Sequence, residues 1–174
     1  MSIQEIKNSI RNVPDFPKPG IQFKDITTAI RQPHILKEIL DVTAEHYKGQ
    51  QIDYVVGIEA RGFVFGAALA YVLGCGFVPT RKSGKLPADV LFQEYSLEYG
   101  KDRIEIHKDA LKKGDTVLIV DDLLATGGTA LAASDLVKQT GATIAGFAFV
   151  IELCELNGRS ALEKTAEVFS LVQY

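Results

Sequence analysis

Two adjacent acids followed by a glycine-rich segment mark residues 117–129, VLIVDDLLATGGT, as a candidate for anion chemistry. Apolar residues typical of a buried strand lead into Asp121 and Asp122, and a helix is predicted to begin after the glycines. Glycine lets several backbone N–H groups point at one anion, and a helix N-terminus adds a favourable dipole. The predicted phosphate-binding residues are Ala125, Thr126, Gly127, Gly128 and Thr129.

The paired carboxylates of Asp121 and Asp122 would repel a phosphate, but they can accept hydrogen bonds from sugar hydroxyls. A phosphate site beside acceptors for a vicinal diol is the arrangement that a ribose 5-phosphate requires. In the alternative interpretation, Asp122 only caps a turn and the glycines only shape it. Short motifs alone favour that alternative, whereas the whole string at a strand-to-helix junction favours binding.

The composition sets limits on the class of protein. The chain has 174 residues, of which 47% are apolar and 24% charged, so we expect one folded domain spanning residues 1–174. Its net charge of −3 argues against nucleic-acid or anionic-membrane partners. The N-terminus lacks the apolar region of a secretory signal, and no apolar run is long enough for a membrane span, which predicts a cytoplasmic protein. Histidines and cysteines are scattered, so we expect no direct metal ligation by the protein.

Predicted strands alternate with predicted helices over most of the chain, which indicates an α/β fold with a mostly parallel sheet covered on both faces. The predicted strands are Tyr54–Ile58, Phe77–Thr80, Thr116–Val120, Ile144–Ile151 and Val168–Val172. Four helices are predicted. The first begins at Ser2 with a capping box and stops before Pro14, and the second runs from Pro33 to near Gly49. The third and fourth cover about Gly62–Leu73 and Gly128–Thr140.

Two segments depart from this alternation. Residues 14–30 hold three prolines and a glycine, which predicts a structured loop that buries Phe16, Ile21 and Phe23. Residues 81–108 combine a polar, glycine-bearing stretch with alternating apolar residues. They predict a long excursion from the sheet that is partly a β-ribbon and is typical of a lid or binding loop.

The string of apolar residues, two acids, two more apolar residues and ATGGT resembles the motif with which phosphoribosyltransferases bind phosphoribosyl pyrophosphate (PRPP). Four further segments resemble those of the adenine phosphoribosyltransferases, and a C-terminal one fits them too. They are DFPKPGIQFKDIT (15–27), GIEARGF (57–63), RKSGKLP (81–87), YSLEYGKD (95–102) and the C-terminal FSLVQY. The resemblance covers nearly the whole chain.

The resemblance implies a type I phosphoribosyltransferase fold with an N-terminal hood (residues 1–30) over the base and a flexible active-site loop (residues 81–107). It implies transfer of the phosphoribosyl group from PRPP to adenine, giving AMP and pyrophosphate, with Mg²⁺ bound mainly through PRPP or pyrophosphate. It also implies a homodimer and a cis peptide bond between Glu59 and Ala60. The substrates that the resemblance implies are PRPP and adenine. Two alternatives remain: another purine (xanthine, hypoxanthine or guanine), or a non-catalytic PRPP- or nucleotide-sensing regulator on the same fold.

The resemblance also assigns roles to single residues. Pyrophosphate would be bound by Glu59, Ala60, Arg61, Arg81 and Lys85, and the base by Gln22, Phe23, Lys24, Leu123 and Tyr99. Arg61 and Lys85 would act in catalysis together with Glu98, which would transfer a proton at the purine. The residues alone leave alternatives open. Arg61 fits a surface ion pair, Arg81 and Lys85 fit solvated charges, Phe23 and Leu123 fit ordinary core, and Glu98 fits a solvent-facing position.

Overall fold

A computed structural model describes residues 2–97 and 100–174 of the chain. The described helices are α1 (Ile3–Ser9), α2 (Thr27–Ile30), α3 (Pro33–His46), α4 (Gly62–Leu73), α5 (Gly128–Thr140) and α6 (Arg159–Leu162). The described strands are β1 (Arg11–Pro14), β2 (Gln22–Asp25), β3 (Tyr54–Ile58), β4 (Gly76–Lys82), β5 (Val90–Leu97), β6 (Gly100–His107), β7 (Thr116–Leu124), β8 (Thr143–Glu152) and β9 (Glu167–Gln173).

A seven-stranded sheet, with the order β5-β6-β4-β3-β7-β8-β9, organises the described part of the chain. Strands β4, β3, β7, β8 and β9 are parallel neighbours, whereas β6 pairs antiparallel with β4 and with β5. Helices follow β3 and β7 and return the chain to the start of the next strand, as parallel pairing requires. The predicted α/β fold with a mostly parallel sheet is confirmed.

The two faces of the sheet bury separate apolar clusters because side chains alternate along each strand. Val117 and Ile119 of β7 belong to the cluster that packs with α5, whereas Leu118 and Val120 belong to the cluster formed with α1, α3 and α4. Both clusters meet at β7, which is therefore buried on both faces. Its two acids follow directly from this buried stretch.

Several predicted boundaries agree with the structure, including those of β3, α4 and α5. Helix α5 ends at Gly141, which has a left-handed backbone conformation, and this agrees with the predicted end of the helix. Strand β7 was predicted to end before the acids, but it continues to Leu124, so Asp121 and Asp122 lie within the strand. The added length is paired with β8 through Ile151 and Glu152.

The N-terminal segment corrects two predictions. The capping box of Ser2 and Glu5 is confirmed, but α1 ends at Ser9 and the next residues form β1 instead of a longer helix. Strand β1 pairs with β2, so the predicted loop of residues 14–30 contains a strand and the short helix α2. Pairing with a distant segment here outweighs the helical spacing of the isoleucines.

The aromatic and aliphatic side chains of this segment are also less buried than predicted. Phe16 and Ile21 are about half exposed, and Phe23 is only partly buried. Phe16 and Phe23 pack edge to face, with ring centroids 5.1 Å apart. The segment therefore presents an apolar surface instead of burying one.

Strands β5 and β6 pair antiparallel and form the predicted β-ribbon within the segment 81–108. The ribbon was predicted to leave the sheet, but β6 pairs with β4 through Arg81–Glu105 and Lys82–Ile104, so the ribbon extends the sheet at its edge. Buried Glu105 accepts hydrogen bonds from Ser83 and the Gly84 N–H and thereby fixes the turn after β4.

Candidate active site

A cleft of about 450 Å³ lies at the carboxyl ends of β3 and β7. Ligands of open α/β sheets bind at this edge because loops and helix N-termini converge there. The predicted site residues that line the cleft are Glu59, Ala60, Arg61, Asp121, Asp122, Leu123, Ala125, Thr126, Gly127, Gly128 and Thr129. The structure thus brings to one cleft two motifs whose Arg61 and Asp122 lie 61 positions apart in the chain.

The phosphate loop, Ala125–Thr129, connects β7 to α5. Gly127 adopts a left-handed φ of 82° and is the N-terminal cap of the helix, which begins at Gly128. A side chain at Gly127 would be strained in this conformation, so glycine is required there. The first N–H groups of a helix have no partner within the helix, and the residues that carry them here line the cleft. The loop therefore has the donors that a phosphate monoester needs.

The two acids of β7 occupy different environments because neighbouring residues of a strand point to opposite faces. Asp122 is buried, and its carboxylate accepts a hydrogen bond from Arg61 Nε at 2.5 Å. Asp121 accepts a hydrogen bond from the Asp122 N–H at 2.8 Å. Burial raises the pKa of the Asp121 carboxyl well above its ordinary value, and the neighbouring charge of Asp122 raises this pKa further.

Arg61 lies directly before α4, which follows β3. Its guanidinium bridges the two motifs, because it bonds Asp122 while half of its side chain remains exposed to the cleft. Close packing makes this possible: a Cβ on Gly62 would lie only 2.8 Å from the Val120 carbonyl oxygen. The peptide bond between Glu59 and Ala60 is cis, as predicted.

The Glu59 carboxylate ties this loop to β4. It accepts hydrogen bonds from the Lys82 N–H at 2.8 Å and from Arg81 at 3.2 Å. Burial alone would raise the pKa of Glu59, but these hydrogen bonds hold the pKa below its ordinary value. Arg81 also donates to the Lys85 carbonyl oxygen, and the Lys85 side chain is exposed. The structure thus places Arg81 and Lys85 beside Glu59, outside the cleft lining.

The hood reaches the site through Phe23. The Arg61 guanidinium carbon lies 5.9 Å from the centre of the Phe23 ring. Gln22 and Lys24, on the opposite face of β2, instead bond Asn12, at 2.6 and 2.9 Å. The alternation along the strand therefore directs only the middle side chain of the three toward Arg61.

Three further cleft residues with polar or charged side chains were not assigned a role from the sequence. They are Lys82, Tyr95 and Asp102. Asp102 accepts a hydrogen bond from the Tyr95 hydroxyl at 3.1 Å and forms an ion pair with Lys82 at 3.2 Å. The ribbon pairing sets Tyr95 opposite Asp102, and only that register could have identified the group.

Two predicted residues, Glu98 and Tyr99, lie outside the described residues, so their roles stay predictions. Within the described ranges, no group of three or more histidine, cysteine or acidic side chains is arranged to hold a metal ion. No helix in those ranges is both long and apolar enough to cross a membrane.

Comparison with known proteins adds independent information. The family model of the phosphoribosyl transferase domain matches residues 27–172. The chain is 57% identical to the adenine phosphoribosyltransferase of Chloroflexus aurantiacus over 174 residues, which is all of both chains. A solved adenine phosphoribosyltransferase from Thermoanaerobacter pseudethanolicus is 48% identical, with a TM-score of 0.96 over 99% of this chain and all of that one.

A third relative was solved with ligands. The enzyme of Saccharomyces cerevisiae, complexed with an imino-altritol bisphosphate and adenine, is 45% identical, with a TM-score of 0.92 over 97% of each chain. Sequence, fold and cleft therefore agree, and the chain belongs to the adenine phosphoribosyltransferases, within the phosphoribosyltransferase family.

Proposed function

We propose that this chain transfers the 5-phosphoribosyl group of PRPP to adenine, giving AMP and pyrophosphate, as in purine salvage. The observation that carries the proposal is the meeting of the phosphate loop, the paired acids and Arg61 in one cleft. The names of the relatives and the adenine bound in the yeast enzyme support adenine as the purine.

The ribose 5-phosphate part of PRPP would be held by the phosphate loop and the paired acids. The phosphate loop would hold the 5-phosphate through backbone N–H groups and the hydroxyls of Thr126 and Thr129. Asp121 and Asp122 would accept hydrogen bonds from the ribose hydroxyls. These contacts hold the sugar still while the bond from its anomeric carbon to pyrophosphate breaks and positive charge develops on the ring.

The leaving pyrophosphate would lie toward Arg61 and the Glu59–Ala60 loop. The guanidinium can donate to pyrophosphate oxygens with the donors not used by Asp122. Arg81 and Lys85 follow on the neighbouring strand and turn, from which they would contribute positive charge when the loop of residues 81–107 closes.

The cleft fits a magnesium ion carried by the substrate. It contains the carboxylates of Asp121 and Asp122, and its volume leaves room for ligand oxygens and water. Mg²⁺ commonly binds through substrate phosphates and few protein ligands, and here it would neutralise charge on pyrophosphate. We propose that the protein does not ligate this ion directly and that the carboxylates act on it through bound water.

The purine would lie between the hood and the end of β7. The Phe23 ring lies 5.9 Å from the Arg61 guanidinium carbon, and Leu123 lines the cleft directly after the acids. Both can pack on a flat base. The side chains of Gln22 and Lys24 bond Asn12 on the opposite face of β2, so these two residues would complete the base site through their backbone, together with Tyr99. Glu98 would take up the proton that N9 loses as N9 bonds to the anomeric carbon, by contact at N7 or through a water.

The assembly that we propose is a homodimer formed through α4. This helix is apolar around its whole circumference, and Val64, Tyr71 and Val72 are exposed, Tyr71 by 88%. Helices of this kind are normally covered on all sides. A second copy would cover this face next to Arg61.

We further propose that residues 1–174 act as one domain in the cytoplasm.

An assay of pyrophosphate release from PRPP and Mg²⁺ with each purine tests the function. We expect rapid release with adenine and at least a hundredfold slower release, about 2.7 kcal/mol, with hypoxanthine, guanine or xanthine. Faster release with another purine would change the substrate. PRPP binding without release with any purine would favour a PRPP-sensing regulator.

A further inference from the structure

The phosphate loop is packed against a segment that follows β8. Gly158 lies between a short turn, Cys154–Leu156, and α6. A Cβ on Gly158 would lie 2.2 Å from the Ala125 carbonyl oxygen and 2.8 Å from the Gly127 nitrogen. Conversely, a Cβ on Gly127 would lie 2.8 Å from the Gly158 carbonyl oxygen. The two backbones are therefore in contact, with no room for a side chain between them.

The close contact with the phosphate loop, and not the backbone conformation of Gly158, explains why glycine occupies this position. Gly158 has φ −63° and ψ −28°, which any residue adopts readily. An added methyl group would nevertheless require the segment or the loop to move by about 1 Å, because ordinary contact begins near 3.4 Å. The position of Gly158 thus limits where the phosphate loop can lie.

Arg159 fixes this segment to the sheet. Its Nε and one terminal nitrogen donate to the two carboxylate oxygens of Glu152, at 2.9 and 2.6 Å. The remaining donors bond the Val168 carbonyl oxygen, Ser170 and Glu163, so all five N–H groups of the guanidinium have partners.

Glu152 is the buried anchor of this network. It ends β8 and is only 4% exposed. Hydrogen bonds from Arg159 lower the pKa of the Glu152 carboxyl below its ordinary value despite burial. A bidentate, charge-assisted pair fixes both distance and direction, which a single bond would not do.

We propose that Gly158 and the pair formed by Arg159 and Glu152 are positioning residues for the phosphate loop. They touch no substrate; they hold Ala125–Thr129 in the arrangement that binds a phosphate monoester. The substrate class rests on the proposed function, but the packing of the loop does not. Loss of this support would weaken binding of the sugar phosphate and leave the base site unchanged.

The first test replaces Gly158 by alanine. Calorimetric titration with ribose 5-phosphate and with adenine measures the two halves of the site separately, and kinetics give KM for each substrate. We expect about 10- to 100-fold weaker ribose 5-phosphate binding and a similar rise in KM for PRPP, because a displacement of about 1 Å is costly at a binding site. Adenine affinity should not change. Lys164→Ala, on the exposed surface just after α6, is the control.

The second test changes the network without adding volume. Arg159→Lys keeps the charge but loses the planar fork, and Glu152→Gln keeps the shape but loses the charge. Both should weaken ribose 5-phosphate binding about tenfold. Glu163→Gln removes the charge of the exposed partner of Arg159 and should have no effect. Arg159→Lys decides the matter if Gly158→Ala does not fold.

Unchanged ribose 5-phosphate affinity in the folded variants would overturn the proposal. Equal weakening of adenine and ribose 5-phosphate would also overturn it, because a general structural defect affects both. Titration with ribose 5-phosphate needs no purine and no turnover. A wild-type protein that binds this sugar phosphate but does not use adenine would therefore contradict the proposed function and leave the positioning proposal supported or refuted by its own variants.

Discussion

Replacement of Asp122 by asparagine tests the proposed sugar site most directly. The asparagine has the same shape, and the aspartate side chain is 8% exposed, so the cleft should keep its geometry. The change removes the charge that Arg61 Nε contacts at 2.5 Å and the charge offered to a ribose hydroxyl.

The expected magnitude follows from these two hydrogen bonds. A hydrogen bond to a charged group contributes about 1.5–3 kcal/mol, whereas a neutral one contributes about 0.5–1.5 kcal/mol. Weakening both bonds by about 1 kcal/mol each gives about 2 kcal/mol, or about a 30-fold fall in kcat/KM for PRPP. The folded state should persist, since each lost charge contact is replaced by a neutral one.

Steady-state kinetics with varied PRPP at saturating adenine measure this change, and circular dichroism reports folding. Asp135→Asn is the matched control, because Asp135 lies on α5 with a half-exposed side chain 3.8 Å from Lys138, a surface pair of little energy. Unchanged kcat/KM in Asp122→Asn would refute the sugar-binding role. An unfolded variant would instead show that the ion pair between Asp122 and Arg61 is needed for folding.

The other predictions concern Glu98, the loop of residues 82–99, the raised pKa of Asp121 and the dimer. Glu98→Gln should slow single-turnover AMP formation about 100-fold with little change in adenine affinity; a near-normal rate would make Glu98 a spacer. Residues 82–99 should gain hydrogen-exchange protection with PRPP and Mg²⁺, and equal protection would contradict closure. The pKa of Asp121 is raised in the folded state, so the protonated carboxyl stabilises the fold at low pH, and this stabilisation is lost as the pH rises through the folded pKa. Asp121→Asn should therefore raise Tm at pH 7 but not near pH 4, and a lower Tm at pH 7 would contradict this. Tyr71→Asp should halve the mass measured by light scattering, and an unchanged mass would exclude α4 as the interface.

Local patterns in the sequence were sufficient for the central elements. Strand β3 and helices α4 and α5 have the predicted bounds, because their apolar residues, glycines and flanking polar residues all favour the same structure. Prediction was less successful in the N-terminal segment. There, α1 ends at Ser9 because the following residues pair with β2, about ten positions further along, and helical spacing carries no information on such a partner.

The candidate site also has one part that could be predicted from the sequence and one part that could not. The motif around Asp122 was identified from the sequence because adjacent acids and a glycine-rich turn are contiguous, and the carboxyl end of a strand is a predictable place for a ligand. The ion pair between Arg61 and Asp122 joins residues 61 positions apart, and it became visible only when the parallel pairing of β3 with β7 was known.

The sequence by itself determined the fold class, the phosphate loop and the paired acids, since each depends on residues that are neighbours along the chain. Only the tertiary structure decided that Tyr95 and Asp102 meet across a ribbon, and that Gly158 touches the loop from a distant segment. The physical reason is that spacing along the chain fixes local conformation and burial, whereas contacts between distant segments depend on strand order and register.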